Sequence, residues 1–322
     1  MAHDTSILIV RDDGKGDANP TFVIDDTSWF LLWQGLDGFD GINYEVYTED
    51  FAVHDGAYLL GERSPVKDRT IEAVYIGNAD KGRREAESFF RPEKFYDVHV
   101  ARDGRRRWFR CKQYAFALPL DFSRNLQKLV WTGLALDPYL LSEDEKSFNL
   151  AEAKGKFGFP FVSMAARWAP SPENTCEAAA QNTYGAGGIG QPAHVAGFVF
   201  GIVARKVNID VEGNATAFPR FDIGATGTVV NPRVTVTDEG GNVVCDFGLA
   251  ITMTEGQKLV VDFSSKPTVM ELDGKNVSMR VTPGSTLIAS LSPGRSTVTW
   301  TSDSGDASMS LTPTIRERYV TL

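Results

Sequence analysis

Apolar and polar positions alternate with a period of two along most of this chain, in short runs punctuated by Gly, Asp and Asn. Ile7–Val10, Thr21–Ile24, Trp29–Trp33, Ile42–Thr48 and Arg69–Ile76 are each of strand length and rich in β-branched or aromatic residues. Asp12-Asp13-Gly14, Leu36-Asp37-Gly38 and Asp55-Gly56 supply turn chemistry between them. Successive side chains of a strand face opposite ways, so the pattern predicts an antiparallel sheet with one buried face.

One segment changes period. In Ala79–Arg91, Ala86, Phe89 and Phe90 fall at helical spacing, Asn78 is placed to cap the N-terminus and Pro92 forces the exit. A helix this short is marginal alone in water, so its Phe pair is expected against the sheet. Strand patterning resumes at Phe95–Ala101, turns at Asp103-Gly104, runs through Arg107–Leu118 and returns through Leu126–Leu136. Residues 1–136 therefore read as a β-sandwich-like domain with one short α-helix.

Asp137-Pro138 and Ser142–Lys146 are polar and turn-rich, which makes them the expected connection to a second domain, residues 137–322. Low hydrophobicity from Pro170 to Ala193 reads as a long surface loop, a feature uncommon without an interface or function. Beyond it, strand runs recur at short spacing: Ala196–Ala204, Lys206–Val211, Thr235–Asp238, Asn242–Val244, Lys258–Phe263, Thr268–Leu272, Thr286–Leu291 and Ser296–Trp300. That spacing, with no helical periodicity, is the signature of a β-sandwich. Val234, Val236, Leu259, Val261, Val298 and Trp300 face inward by alternation. The predicted fold class is mainly β.

Length agrees with two domains, since 322 residues exceed what one core usually serves. The net charge of -9 gives little attraction to phosphate backbones or anionic lipid, so neither nucleic acid nor membrane is an expected partner. Arg105, Arg106 and Arg107 form the one dense basic run, and after a turn they read as a solvated hairpin flank. The first ten residues lack the pattern of a secretion signal, and no run has the ~18 apolar residues of a membrane span. A chain kept in the cytoplasm, or released by lysis, is the expectation. Cys111, Cys176 and Cys245 are too far apart to suggest a disulfide framework or a zinc site.

Candidate chemistry fails on context. Gly185-Ala186-Gly187-Gly188-Ile189-Gly190 satisfies a dinucleotide-binding string, but Asn182-Thr183-Tyr184 before it and Gln191-Pro192 after it are not the required strand and helix. Asp12-Asp13, Asp25-Asp26, Glu49-Asp50 and Asp238-Glu239 are neighbours in sequence, which strand geometry points apart, so they make poor acid and base pairs for glycoside hydrolysis. His3, His54, His99 and His194 show no metal or triad spacing. No catalytic residue, cofactor or metal is expected, and the chain does not read as an enzyme. Aromatics are the remaining candidates. Trp300 belongs to a strand and reads as core, whereas Trp168 and Tyr184 flank the long loop and are the candidate contacts for a glycan or protein partner.

The order of features resembles a known family. Gln34-Gly35-Leu36-Asp37-Gly38-Phe39-Asp40-Gly41 running into Ile42–Thr48, then Asp55-Gly56-Ala57, Arg69-Thr70-Ile71-Glu72 and the helix end Phe89–Lys94, are similar to the N-terminal half of phage distal tail proteins. Phe159-Pro160-Phe161, Ala217–Ile223, Gly227–Arg233, Leu259–Asp262, Leu272–Val277 and Leu291-Ser292-Pro293-Gly294 follow in that family's order. The stretch Pro170–Ala193 has no counterpart in it. The resemblance implies a structural hub at the tail tip of a long-tailed phage. Its N-terminal domains would pack head to tail as a hexameric ring between the tail tube protein and tail-tip or receptor-binding proteins. A galectin-like C-terminal β-sandwich would project outward, with virion location after assembly in the host cytoplasm. Gly35–Gly41, Ala79–Arg91 and Arg107–Leu118 are then the candidate ring surfaces. A tail adhesin that binds host surface glycan through the C-terminal sandwich is the alternative.

Overall fold

The computed structural model describes residues 5–51, 54–120, 125–148, 206–265 and 267–322, and between 149 and 205 only four short strands. The chain opens with β1 (Thr5–Arg11), β2 (Thr21–Ile24), β3 (Trp29–Asp37), β4 (Glu45–Asp50), β5 (Ala57–Arg63) and β6 (Lys67–Ile76). Helix α1 (Ala79–Phe89) follows, then β7 (Phe95–Arg102), β8 (Arg105–Ala117), β9 (Leu126–Ala135), β10 (Leu140–Ser142) and β11 (Lys146–Ser147).

A sheet in the order β2-β1-β7-β8-β9-β6-β3 carries the first core, with β10 added to β8. Strand β8 serves both halves of it. Arg105–Lys112 pairs with β7, and Cys111–Ala117 pairs with β9 after a register shift between Gln113 and Ala115 that leaves Tyr114 outside the ladder. A bulge adds local twist, which lets one sheet fold over itself. Ile7, Ile9, Val98, Val100 and Phe109 from one half and Ile71, Ala73, Leu129 and Trp131 from the other share one buried cluster.

Helix α1 closes this core as its spacing predicts. Asn78 accepts a hydrogen bond from Lys81 N, while Gly82, Ala86 and Phe89 are buried. Phe90, which ends the helix, is buried too, and its ring lies 5.1 Å from Phe22 and 5.6 Å from Trp131. Gly82 is required by close approach, because a Cβ there would stand 2.6 Å from the Tyr75 ring.

Four short strands, β12 (Gly158–Phe161), β13 (Thr183–Tyr184), β14 (Gln191–Pro192) and β15 (Ala196–Val199), pair as β12 with β15 and β13 with β14. The second core then begins with β16 (Lys206–Val211), β17 (Pro219–Ala225), β18 (Val229–Val230), β19 (Arg233–Thr237), β20 (Val243–Gly248) and β21 (Thr252–Met253). It continues with β22 (Lys258–Asp262), β23 (Val269–Leu272), β24 (Lys275–Asn276), β25 (Gly294–Thr301), β26 (Met309–Ile315) and β27 (Arg318–Tyr319).

Two antiparallel sheets, β11-β26-β17-β22-β23-β24 and β16-β25-β19-β20, make a β-sandwich. All six positions expected to face inward are buried: Val234, Val236, Val298 and Trp300 from one sheet meet Leu259 and Val261 from the other. Two runs differ from the sequence reading. Thr286–Leu291 is not a strand: Leu287 and Ile288 are exposed and Leu291 makes only an isolated bridge to Ala217. Pro283-Gly284 before it and Ser292-Pro293-Gly294 after it are turn-forming residues that redirect the backbone at both ends of the segment. Conversely, Met309–Ile315 lies inside the sheet despite Pro313. Short β11 pairs only Thr314 and Ile315, and the Pro313 carbonyl accepts from Phe148 N, so little pairing is lost to the missing N–H.

Candidate functional site

Trp168 lies outside the described residues, as do the segment 185–190 and Cys176, and of Tyr184 only its place in β13 is described. Strands β13 and β14, which flank the glycine string, pair with each other, so the string does not follow the strand-to-helix order of a dinucleotide site. Asp12, Asp13 and Asp238 are each engaged by partners of their own. Asp12 pairs with Arg110, while Asp13 lies 2.7 Å from Arg11 and 3.2 Å from Lys94. The Arg11 hydrogen bond holds the Asp13 carboxyl down at about 2. Asp238 accepts from Asn242 within its own turn. Burial pushes the thiols of Cys111 and Cys245 up to about 12, so neither is a thiolate at neutral pH. His99 stacks on Trp108, with ring centroids 5.9 Å apart.

The sequence-predicted ring surfaces divide. In Gly35–Gly41, Phe39 is buried 5.6 Å from the Phe109 ring, and its carbonyl accepts from Leu322 N. Gly38, at φ 81°, lets its carbonyl accept from Arg69 Nε at 3.3 Å. Most of that turn is structural. Arg69 itself is fully buried over the Phe109 ring at 4.4 Å, and burial lowers its pKa to about 10. Helix α1 presents a polar outer face in which Arg83 and Glu87 pair at 3.0 Å. In β8, Phe109 and Cys111 are buried and Tyr114 is exposed.

An exposed apolar surface among the described residues involves the run Ile42–Thr48, which alternation assigned to the sheet, and the strand after it, which the pattern did not single out. Strands β4 and β5 pair only with each other, and nearly every residue on both faces is exposed. Val46, Tyr47, Tyr58, Leu59 and Leu60 stand in solvent, the two leucines 65% and 63% exposed. Glu45 and Arg63 pair at 2.7 Å across one end of the hairpin, and Phe51 packs against Tyr58 at 4.1 Å near the other. An isolated two-stranded hairpin is marginal in water, and a contiguous apolar patch on a soluble protein marks an interaction surface.

A second site lies where the two cores meet. The chain crosses between them twice, at 137–146 and again at 315–322. Strand β27 pairs with β10, extending the first sheet, while β11 pairs with β26 of the sandwich. Arg318 donates to Asp137 Oδ2 at 2.6 Å and to the Thr216 carbonyl at 3.1 Å. Its guanidinium sits 4.1 Å from the Tyr139 ring and 4.8 Å from Phe218. Lys146 reaches Glu317 at 2.8 Å and Glu212 at 2.7 Å. Burial raises the Glu317 pKa, but hydrogen bonds from Lys146, Tyr319 and Glu212 N outweigh it and leave the carboxyl below its ordinary range.

Arg107 corrects the reading of the basic run. Arg105 and Arg106 are exposed, but Arg107 is buried, 3.9 Å over the Tyr319 ring, and donates to the Thr321 carbonyl. No local pattern signals this, because Arg107's partner is more than 200 positions away.

This arrangement, a folded-over sheet with one helix joined to a β-sandwich, is a fold shared with a solved phage protein. It is similar over nearly its whole length to the Dit protein of phage SPP1, described as a paradigm of the hub adsorption apparatus in phages infecting Gram-positive bacteria. That likeness has 13% identity and a TM-score of 0.59, and it covers 97% of this chain and 98% of the SPP1 protein. A chain of the phage P2 baseplate in its activated, calcium-containing conformation aligns at 8% identity with a TM-score of 0.49, covering 99% of each chain. No family model and no curated protein matches the sequence.

Proposed function

We propose that this chain is a non-enzymatic structural hub at the tail tip of a long-tailed bacteriophage. The observation that carries the reading is the whole-chain fold shared with SPP1 Dit, in which both cores have counterparts rather than one. In this reading residues 1–136 form the ring and residues 137–322 form an outward, galectin-like domain. Six copies close a ring that joins the tail tube to baseplate or fibre components.

The exposed β4–β5 hairpin supports self-assembly physically. Head-to-tail contacts of one surface on a different one close into a ring and cover apolar surface on every copy. Solution mass and negative-stain images of purified protein test the reading. A species of six times 35.3 kDa with ring-shaped particles is expected. Monomers alone at high concentration, with no ring at the virion tail tip, would overturn it.

A further inference from the structure

Between the two cores lies a cavity of about 340 Å³, within the range of small-molecule pockets. Trp108 and Leu141 line it from the first sheet, and Phe218, Arg220 and Asp262 from the sandwich, with Arg316 on the second crossing segment. Apolar walls with a few convergent polar groups are what orient a small polar ligand.

The hydrogen-bonding capacity of those polar groups is unequal. Each carboxylate that lines the cavity is engaged by the protein itself. Asp137 receives Arg318, Glu145 accepts from Arg316 Nη2 at 2.8 Å, and the two oxygens of Asp262 accept from Ser264 and Ser265. The arginines are not used up. A guanidinium carries five N–H groups. Among the described residues, Arg220 makes one side-chain hydrogen bond, to Asp222 at 3.3 Å, and Arg316 makes one, to Glu145. The Nε atoms of Arg220 and Arg318 are enclosed without a hydrogen-bond partner among the described residues. Arg316 is held against the wall with its guanidinium 5.0 Å from the Trp108 ring. The cavity therefore offers donors in excess of acceptors.

We propose that this cavity binds a small organic anion, a carboxylate or phosphate group carried on a small polar body, with Arg220 and Arg316 as its anion contacts. A forked guanidinium matches the paired oxygens of either group. The volume accommodates more than a bare ion, and the Trp108, Leu141 and Phe218 walls contact the body. Because both cores contribute, the occupied site ties them together and ligand raises thermal stability by mass action. The inference needs no ring, since one chain supplies every residue.

Calorimetric titration and thermal melting of the full chain with glucuronate, glucose 6-phosphate and glucose, at matched ionic strength, test it. Saturable binding of glucuronate, glucose 6-phosphate or both is expected, with the responding probe identifying the anionic group and glucose inert. Arg220→Gln and Arg316→Gln together should weaken binding by at least about tenfold. Ser264→Phe should abolish it by filling the cavity, with Asp262 still held by Ser264 N and the Ser265 hydroxyl. Arg295→Gln, at an exposed pair with Asp210, should bind as the native chain does. No saturable binding of either acidic probe up to about 20 mM would overturn the proposal. Equal binding of glucose, or undiminished binding by the cavity variants, would also overturn it.

Discussion

Arg318 and Asp137, which are 181 positions apart in the chain, face each other across the joint with Arg318 Nη2 2.6 Å from Asp137 Oδ2. Arg318 is only 6% exposed and its guanidinium lies against the rings of Tyr139 and Phe218, so the pair is largely shielded from solvent on the arginine side. One contact thus closes the second crossing segment onto the first.

Removing one member of a shielded ion pair leaves the other without a partner. Arg318→Ala should destabilise the protein by about 2 to 3 kcal/mol, below the full buried-pair range because Asp137 retains access to water. Urea unfolding reads this directly. Limited proteolysis between 137 and 146 should accelerate in the variant, and unchanged cleavage would show that the pair does not hold the joint.

The Lys146 and Glu317 pair gives the joint a pH window. Glu317 has a folded-state pKa below its ordinary value, so its contribution is present above the ordinary carboxylate range and is lost as pH falls through the folded value. Lys146 is raised, chiefly by its hydrogen bond to Glu212, so its contribution is present below the ordinary lysine range and lost as pH rises through the folded value. The urea midpoint should fall as pH drops from about 5 toward 3, and Glu317→Gln should flatten that limb.

Gly82 sets two effects against each other. Alanine gains about 1 kcal/mol of helix propensity over glycine. The new Cβ, however, would meet the Cγ, Cδ1 and Cβ of Tyr75 at 2.6 to 2.9 Å, the base of a buried side chain with no room to retreat. Overpacking of this kind costs about 1 to 3 kcal/mol, so Gly82→Ala should be net destabilising in thermal melts. A stabilised variant would mean that the helix shifts freely on the sheet.

Leu59→Lys places a charge on the exposed hairpin without touching either core. Circular dichroism and the melting temperature of the monomer should stay as in the native chain, while sedimentation should show the assembled species lost. Assembly at native mass and concentration would remove the hairpin from the interface.

Local pattern determined a good deal of this protein. Alternation alone selected Val234, Val236, Leu259, Val261, Val298 and Trp300 as core, and the structure buries all of them. Helical spacing behind Asn78 located α1 and its buried Phe pair. These features are legible because each depends on neighbours within a few residues. The candidate contacts Trp168 and Tyr184 gained nothing, since the side chains of both lie outside the described residues.

Tertiary structure decided the rest, for reasons that no local window contains. Strands β10, β11 and β27 have two or three residues each, too few to show a period, and they become strands only because distant edges supply their hydrogen bonds. Arg107 looks solvated until Tyr319 arrives beneath it. Strands β4 and β5 carry Val46, Tyr47, Tyr58, Leu59 and Leu60, yet among the described residues no second layer covers them. By itself the sequence determined which residues seek burial and which strands can form. The joint, its cavity and the uncovered hairpin follow from which of those strands the folded chain brings together.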